Sequence, residues 1–482
     1  MKKLFFITLT LISASLVAQT AAKWENVYGG PGIENGYDVK CYFNRGYVAV
    51  GSSGSLGVSD GYLVRTDTIG ITMWEKFYGG NNVDVIRSIH VLPDSGFIMA
   101  GYSNSAGNGG YDGWLIRADK NGDTLWTKYI GTSNWDFFYS VYPTWDGGFV
   151  IAGGTYGQGM GDEDMYFVKT NSSGDTLWTK TYGGTRTDEA RGIIQTGDSL
   201  LAACGFSDDL GDTLGDSWML RMDQNGDTLF TRTYGNTTAM DKAYGIACVN
   251  SYGWLLTVGE TTISGDPSAY LWYMSMTGNT FLTQTYGPAG EDFFSCIVGS
   301  DAGHYGMAGL TSGLGAGNGD FLFNSDLSIT TFGSLQSDIA YGIDTGYAGG
   351  YIISGTSESF DLGNQQMFLV KTDTDGYSTN VLGIHELITA TSSQQAGVYP
   401  VPANDQLILS IPSSGNSSAN EIQICDISGR VIHDEQNVGS TFTDGTELFS
   451  IATVTMVDGI YFARISTTES GTYTAKFIIQ HH

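Results

Sequence analysis

Apolar and polar positions fall into four short patterns that return along most of this chain. One is a continuous apolar run, as in Phe97-Ile98-Met99-Ala100 and Phe149-Val150-Ile151-Ala152. Its copies close on Gly51, Gly101, Gly153, Gly205, Gly259, Gly309 and Gly355. Runs that are apolar on both faces predict strands sandwiched between neighbouring sheets. A second pattern, Asp-x-Trp-Leu-Ile-Arg in its clearest form, begins at Asp60, Asp112, Asp164, Asp216, Ser268 and Asp320, each 52 residues after the last, and returns near Gln366. A third, Trp-x-Lys-x-Tyr-Gly-Gly, starts at Trp24, Trp74, Trp126 and Trp178, with decayed copies from Phe230, Leu282 and Ser328. A fourth opens with an aspartate at Asp38, Asp84, Asp136, Asp188, Asp241, Asp292 and Asp338.

Seven copies of four strand-length patterns at this period are the signature of propeller blades. The expected fold is all-β: a seven-bladed β-propeller over residues 23–377, followed by a small antiparallel β-sandwich. The pairs Asn121-Gly122, Asn225-Gly226, Thr277-Gly278 and Asp375-Gly376 fall between the third and fourth strands, where a residue at positive φ favours a two-residue hairpin. The chain ends add a constraint. Trp24 to Gly30 precedes any complete repeat, and the last repeat has no such block of its own. The N-terminal strand should therefore supply the outer strand of the last blade and remove an exposed edge.

After Gly376 the repeat stops. Residues 378–396 are rich in Ser, Thr and Gln and read as a linker. From Gly397 a new pattern begins: Val398-Tyr399-Pro400-Val401-Pro402-Ala403-Asn404, a strand pattern at Leu407 to Ile411, Ile422 to Arg430, Gly459 to Ile465, and a terminal Lys476-Phe477-Ile478-Ile479. These blocks resemble the type A C-terminal sorting domain of bacterial type IX secretion cargo, here over 397–482. Val401, Ala403 and Cys425 depart from the usual wording. The resemblance implies recognition by the outer-membrane secretion machinery and a product that is held at the surface or released. The repeats from about 24 to 377 resemble bacterial propeller repeats with the same Asp-Gly-Gly-Phe-Val-Ile-Ala-Gly wording, which implies a fold and no activity.

The start of the chain fits that route. Lys2 and Lys3, the apolar run Leu4 to Val17 and the small residues Ala18, Ala21 and Ala22 read as a signal peptide over 1–22. The apolar run is too short for a membrane anchor. Composition then excludes one partner class. With 50 Asp and Glu against 22 Lys and Arg, the net charge of −28 leaves no basic patch for nucleic acid. Cys41, Cys204, Cys248, Cys296 and Cys425 lie far apart. Cys204 reads as a buried hydrophobe, and a bridge between Cys248 and Cys296 is open.

Candidate chemistry is sparse. The histidines follow no metal-ligand spacing, and no Gly-x-Ser-x-Gly opens a helix. Asp119 to Trp126 carries oxygen ligands before a glycine, as Ca²⁺ loops do, but reads first as a hairpin turn capped by its own aspartates. Asp84, Asp136, Asp188, Asp241, Asp292 and Asp338 should ring one face, beside the long loops Ser103 to Tyr111 and Thr155 to Glu163. Repetition in every blade favours backbone capping. The functional alternative is a carboxylate mouth holding Ca²⁺ or a polar ligand. Trp135 to Trp145 and Asp208 to Asp216 are the stretches where a site outside the repeat would sit. The readings that follow are a surface or released binding protein with a glycan or protein ligand, a secreted polysaccharide-cleaving enzyme at the channel mouth, and an adhesive surface component.

Overall fold

A computed structural model describes residues 23–378, apart from 56, 211–214, 236–239, 250–252, 264, 289, 300–303, 316–317, 326–328, 335, 360–363 and 374–375, and the strands lying between 393 and 479. The predicted signal peptide and most of the predicted linker lie outside the described residues, as do parts of the 208–216 stretch. Seven four-stranded antiparallel sheets follow one another in sequence. The first blade is Glu34–Cys41, Tyr47–Ser53, Asp60–Thr66 and Thr72–Tyr78. The seventh is Asp338–Thr345, Tyr351–Ser357, Gln366–Lys371 and the N-terminal strand Trp24–Tyr28. Trp24 pairs with Lys371 and Tyr28 with Met367, so the ring closes as the sequence predicts.

The first strands of neighbouring blades pack on one another around the centre. The second and third strands are buried along their length, as Phe149–Thr155 and Asp164–Thr170 show. Their side chains form shared layers between blades: Val50 and Leu63 of blade one meet Ile86, Phe97 and Met99 of blade two.

The Trp-x-Lys-x-Tyr pattern also has a structural reason. With period two, its three side chains share one face of the outer strand. All three dock on the next blade's hairpin. Trp178 donates from Nε1 to the Gln224 carbonyl at 3.0 Å. Lys76 pairs with Asp123 at 2.8 Å, Lys128 with Asp175 at 2.9 Å and Lys180 with Asp227 at 2.8 Å. Tyr78 donates to the Gly122 carbonyl at 2.6 Å. Gly122 sits at φ +80°, a conformation that favours glycine. Asp119 accepts from the backbone N–H of Asn121 at 2.8 Å and of Asp123 at 2.9 Å, which caps the turn.

The tail forms two sheets. One holds Ser393–Gln395, Thr472–Ile479, Gly459–Thr467, Ala419–Asp426 and Val431–Gln436; the other holds Gly397–Tyr399, Gln406–Pro412, Thr446–Ala452 and Thr441–Thr443. Alternate residues Leu407, Leu409 and Ile411 pack against Ile422, Ile424 and Ile465 in one buried core. Among the described residues the Cys296 thiol is in no disulfide, so no bridge joins Cys248 to Cys296.

Candidate functional site

The inner strands place two sets of side chains at the centre. The first set is the entry residue of each strand. Asp84, Asp136, Asp188, Asp241, Asp292 and Asp338 all open inner strands and are all buried. Asp38 does not belong with them. Glu34 pairs with Ser53 as Asp84 pairs with Ser103, so Glu34 holds that position in blade one and Asp38 lies four residues further in.

In Asp84, Asp136, Asp188 and Asp338 one carboxyl oxygen accepts from the chain that dives toward the centre. Asp84 Oδ2 accepts from Gly80 N at 2.8 Å and Ser105 Oγ at 2.6 Å. Asp136 Oδ2 accepts from Thr132 N at 2.6 Å and Thr132 Oγ1 at 3.0 Å. Asp188 accepts from Gly184 N at 2.8 Å, and Asp338 from Ser334 N at 3.0 Å and Ser359 Oγ at 2.6 Å. Burial, with Asp266 and Glu291 nearby, pushes the Asp292 carboxyl up to about 6. Asp60 and Asp84 both border Gly79, and burial and then Asp84 raise the Asp60 carboxyl above its ordinary range. Among the described residues no three of His, Cys, Asp and Glu gather as a metal-ligand group.

The second set escaped the sequence reading. Every inner strand carries a β-bulge at the same place. The extra residue of each is Tyr37, Arg87, Tyr139, Arg191, Tyr244, Ser295 and Tyr341, one per blade. A bulge leaves its extra residue out of the ladder and re-aims its side chain. Here all seven turn to the axis and, with Phe293, line a central cavity of about 270 Å³. The residue after the bulge stitches blades together: Ile89 N donates to Asp38 Oδ2 at 2.9 Å, Val141 N to Ser88 Oγ at 3.3 Å and Ile193 N to Ser140 Oγ at 3.3 Å.

From Tyr37 through Tyr244, aromatic and cationic groups alternate around the cavity. The Arg87 guanidinium lies 4.0 Å from the Tyr37 ring centre and 5.7 Å from that of Tyr139. Arg191 lies 4.4 Å from Tyr139 and 6.0 Å from Tyr244. Cations over aromatic faces are held by the ring quadrupole. Arg191 is also paired with Glu189 at 2.8 Å. Behind it Glu163 is buried, and that burial, with the Glu189 charge, pushes its carboxyl up to about 7. Ser295 interrupts the ring: its small side chain lines the cavity with Phe293, and its hydroxyl is turned to the Ala340 and Ala308 carbonyls.

From this cavity a strip of rings climbs to the surface. Tyr139 stacks on Phe137 at 6.2 Å and 12°. Phe137 meets Trp135 at 6.3 Å and Tyr156 at 6.3 Å. Trp135 also meets Tyr111 at 5.8 Å and is 52% exposed. These residues come from the connection that follows the outer strand Thr124–Ile130, from the next inner strand, and from both long loops named from the sequence. Trp145 does not join them. It lies across the strand Asp136–Pro143, beside Gln195 at the opposite end.

Residues 397–480 match the family described as "Secretion system C-terminal sorting domain". The tail is a type IX secretion sorting domain. The sorting domain marks the chain as cargo of that machinery, delivered to the cell surface or released. Among the described residues no helix is long and apolar enough to cross a membrane.

No curated protein matches the chain in sequence. Among solved structures it is similar to Sqt1 from Chaetomium thermophilum, at 11% identity over 70% of this chain and 82% of that one, with a TM-score of 0.41. It is also similar to a glucose dehydrogenase, at 8% identity over 59% and 95% with a TM-score of 0.37. A puromycin hydrolase matches at 12% identity over 68% and 52%, with a TM-score of 0.41. None of these likenesses bears on what the chain does.

Proposed function

We propose that this is an exported binding protein whose propeller engages an extracellular glycan at the mouth of its central channel. The strip Trp135–Phe137–Tyr139 carries the reading, because it joins an exposed ring at the rim to the channel wall. Sugar rings present flat C–H faces that stack on aromatic side chains, and large aromatics provide much contact area at small entropic cost. A concave site lined by rings with a few convergent polar groups is the general form of a ligand site. The tyrosine hydroxyls and guanidinium groups of the bulge ring supply those polar groups.

On this reading the aspartate ring is structural. Asp84, Asp136, Asp188 and Asp338 each satisfy backbone N–H groups where the chain turns inward, the same task in each blade. Glycan-array binding of the whole secreted chain, run with Ca²⁺ and with chelator, tests both points. The proposal expects specific binding that chelator leaves intact. An empty array would overturn the glycan reading, and binding lost in chelator would return the aspartates to the site as metal ligands.

A further inference from the structure

The bulge ring goes against the composition of the chain. Acidic residues outnumber basic ones, 50 to 22, yet the seven bulge positions hold two arginines and no carboxylate. The two arginines are not equivalent. Arg191 has its counter-charge in Glu189. Among the described residues Arg87 has cation–aromatic contacts with Tyr37 and Tyr139, and no ion pair or hydrogen bond. Stacking satisfies the face of a guanidinium and leaves its in-plane N–H groups to be matched by something else. Those groups form a rigid fork that fits a carboxylate through two parallel hydrogen bonds.

We infer that the channel takes the carboxylate of a terminal acidic sugar residue, with Arg87 as its bidentate partner. This rests on the glycan reading above and narrows it to a uronate-type end group. Tyr37 and Tyr139, which flank Arg87, and Tyr341, which meets Tyr37 at 5.5 Å, offer hydroxyls to the sugar. Ser295, standing where every other blade places an arginine or a tyrosine, leaves room for its ring. A cavity of about 270 Å³ is at the small end for ligand pockets, so one end residue enters while the next lies on Phe137 and Trp135. The net charge of −28 adds a selection: a long polyanion is repelled on approach, whereas a chain charged at its end alone is tolerated.

The test is titration calorimetry on the whole secreted chain with three oligosaccharides of one backbone. They end in glucuronate, in glucose and in sulfated glucose. The inference expects the glucuronate end to bind at least about tenfold more tightly than the other two, as a charge-assisted pair provides. Arg87→Gln should lower affinity for the glucuronate end by a similar factor, with its melting temperature reporting that it is folded. Should Arg87→Gln fail to fold, Arg87→Lys keeps the charge, removes the fork, and should lose part of the preference. Equal binding of glucuronate and glucose ends would overturn the inference and leave the glycan reading standing. Preference for the sulfated end would overturn the carboxylate assignment, and binding of none would overturn both readings.

Discussion

The hydroxyl of Tyr28 donates to the Gly70 carbonyl at 2.6 Å, so a strand that completes blade seven is anchored on the hairpin of blade one. Tyr78 makes the same bond to Gly122 between blades one and two. Trp24, on the same strand, donates to the Thr68 carbonyl at 3.1 Å. The N-terminal strand thus closes the ring twice, by its backbone ladder to Lys371 through Met367 and by its side chains. Trp24 is 5% exposed, and Trp24→Ala should cost about 3 kcal/mol. Deleting residues 24–30 should cost more, because Gln366–Lys371 would become an open edge. Thermal melts of the purified variants check both.

Asp136 illustrates how the aspartate ring can be separated from a metal site. Asp136→Ala removes the acceptor for Thr132 N and Thr132 Oγ1 and should destabilise the fold by about 1–3 kcal/mol. Asp136→Asn keeps an acceptor and should cost less. Chelator should leave the melting temperature of the parent unchanged. A large drop in chelator would show that the ring holds a cation.

Acidity should stabilise this protein over a defined window. Burial, against a hydrogen bond from Ser378, pushes the Glu25 carboxyl up to about 7, and Glu163 and Asp292 stand at about 7 and about 6. The unfolded chain holds these protons only near pH 4. Between about pH 7 and pH 4 the folded state therefore binds more protons, and stability rises as pH falls. The opposite case is Asp146, half exposed, whose carboxyl, against a partial loss of hydration that raises it, is held down to about 2 by Lys169, Thr144 and Gly148. Its contribution is lost below about pH 4. Melting temperatures should be higher at pH 5 than at pH 8 and should fall again toward pH 2. A flat or rising profile from pH 5 to pH 8 would contradict the burial of these carboxyls.

The sorting domain has its own core and shares no strand with the propeller. Removing residues 397–482 should leave the propeller folded and abolish its appearance outside the outer membrane. Fractionation of cells expressing the truncated chain checks this, with retention in the periplasm as the expected result.

Most of the fold was legible because each blade repeats the same four problems: a fully buried strand, an outer strand that docks on its neighbour, a tight hairpin and a capped entry. Glu34 hid the first capped entry, since it differs in type and Asp38 fits the pattern four residues later. The bulge ring was not read, although its trace is in the sequence. Three residues after each entry stands Tyr37, Arg87, Tyr139, Arg191, Tyr244, Ser295 or Tyr341. A bulge reverses the alternation that strand reading relies on, so these positions look like neither core nor edge. Trp135 and Trp145 read as one cluster by proximity in sequence. The eight-residue strand Asp136–Pro143 lies between them, and at roughly 3.3 Å per residue it carries them to opposite faces.

That separation supplies the most direct measurement. Trp135 and Trp145 are both exposed, at 52% and 63%, so either can be changed to alanine with little effect on stability. Calorimetric titration of a glycan that binds the parent should show Trp135→Ala weakened about tenfold or more and Trp145→Ala unchanged, since stacking on a large ring is worth roughly 1–2 kcal/mol. Unchanged binding in Trp135→Ala, or loss in Trp145→Ala instead, would contradict the placement of the site at the aromatic mouth of the channel.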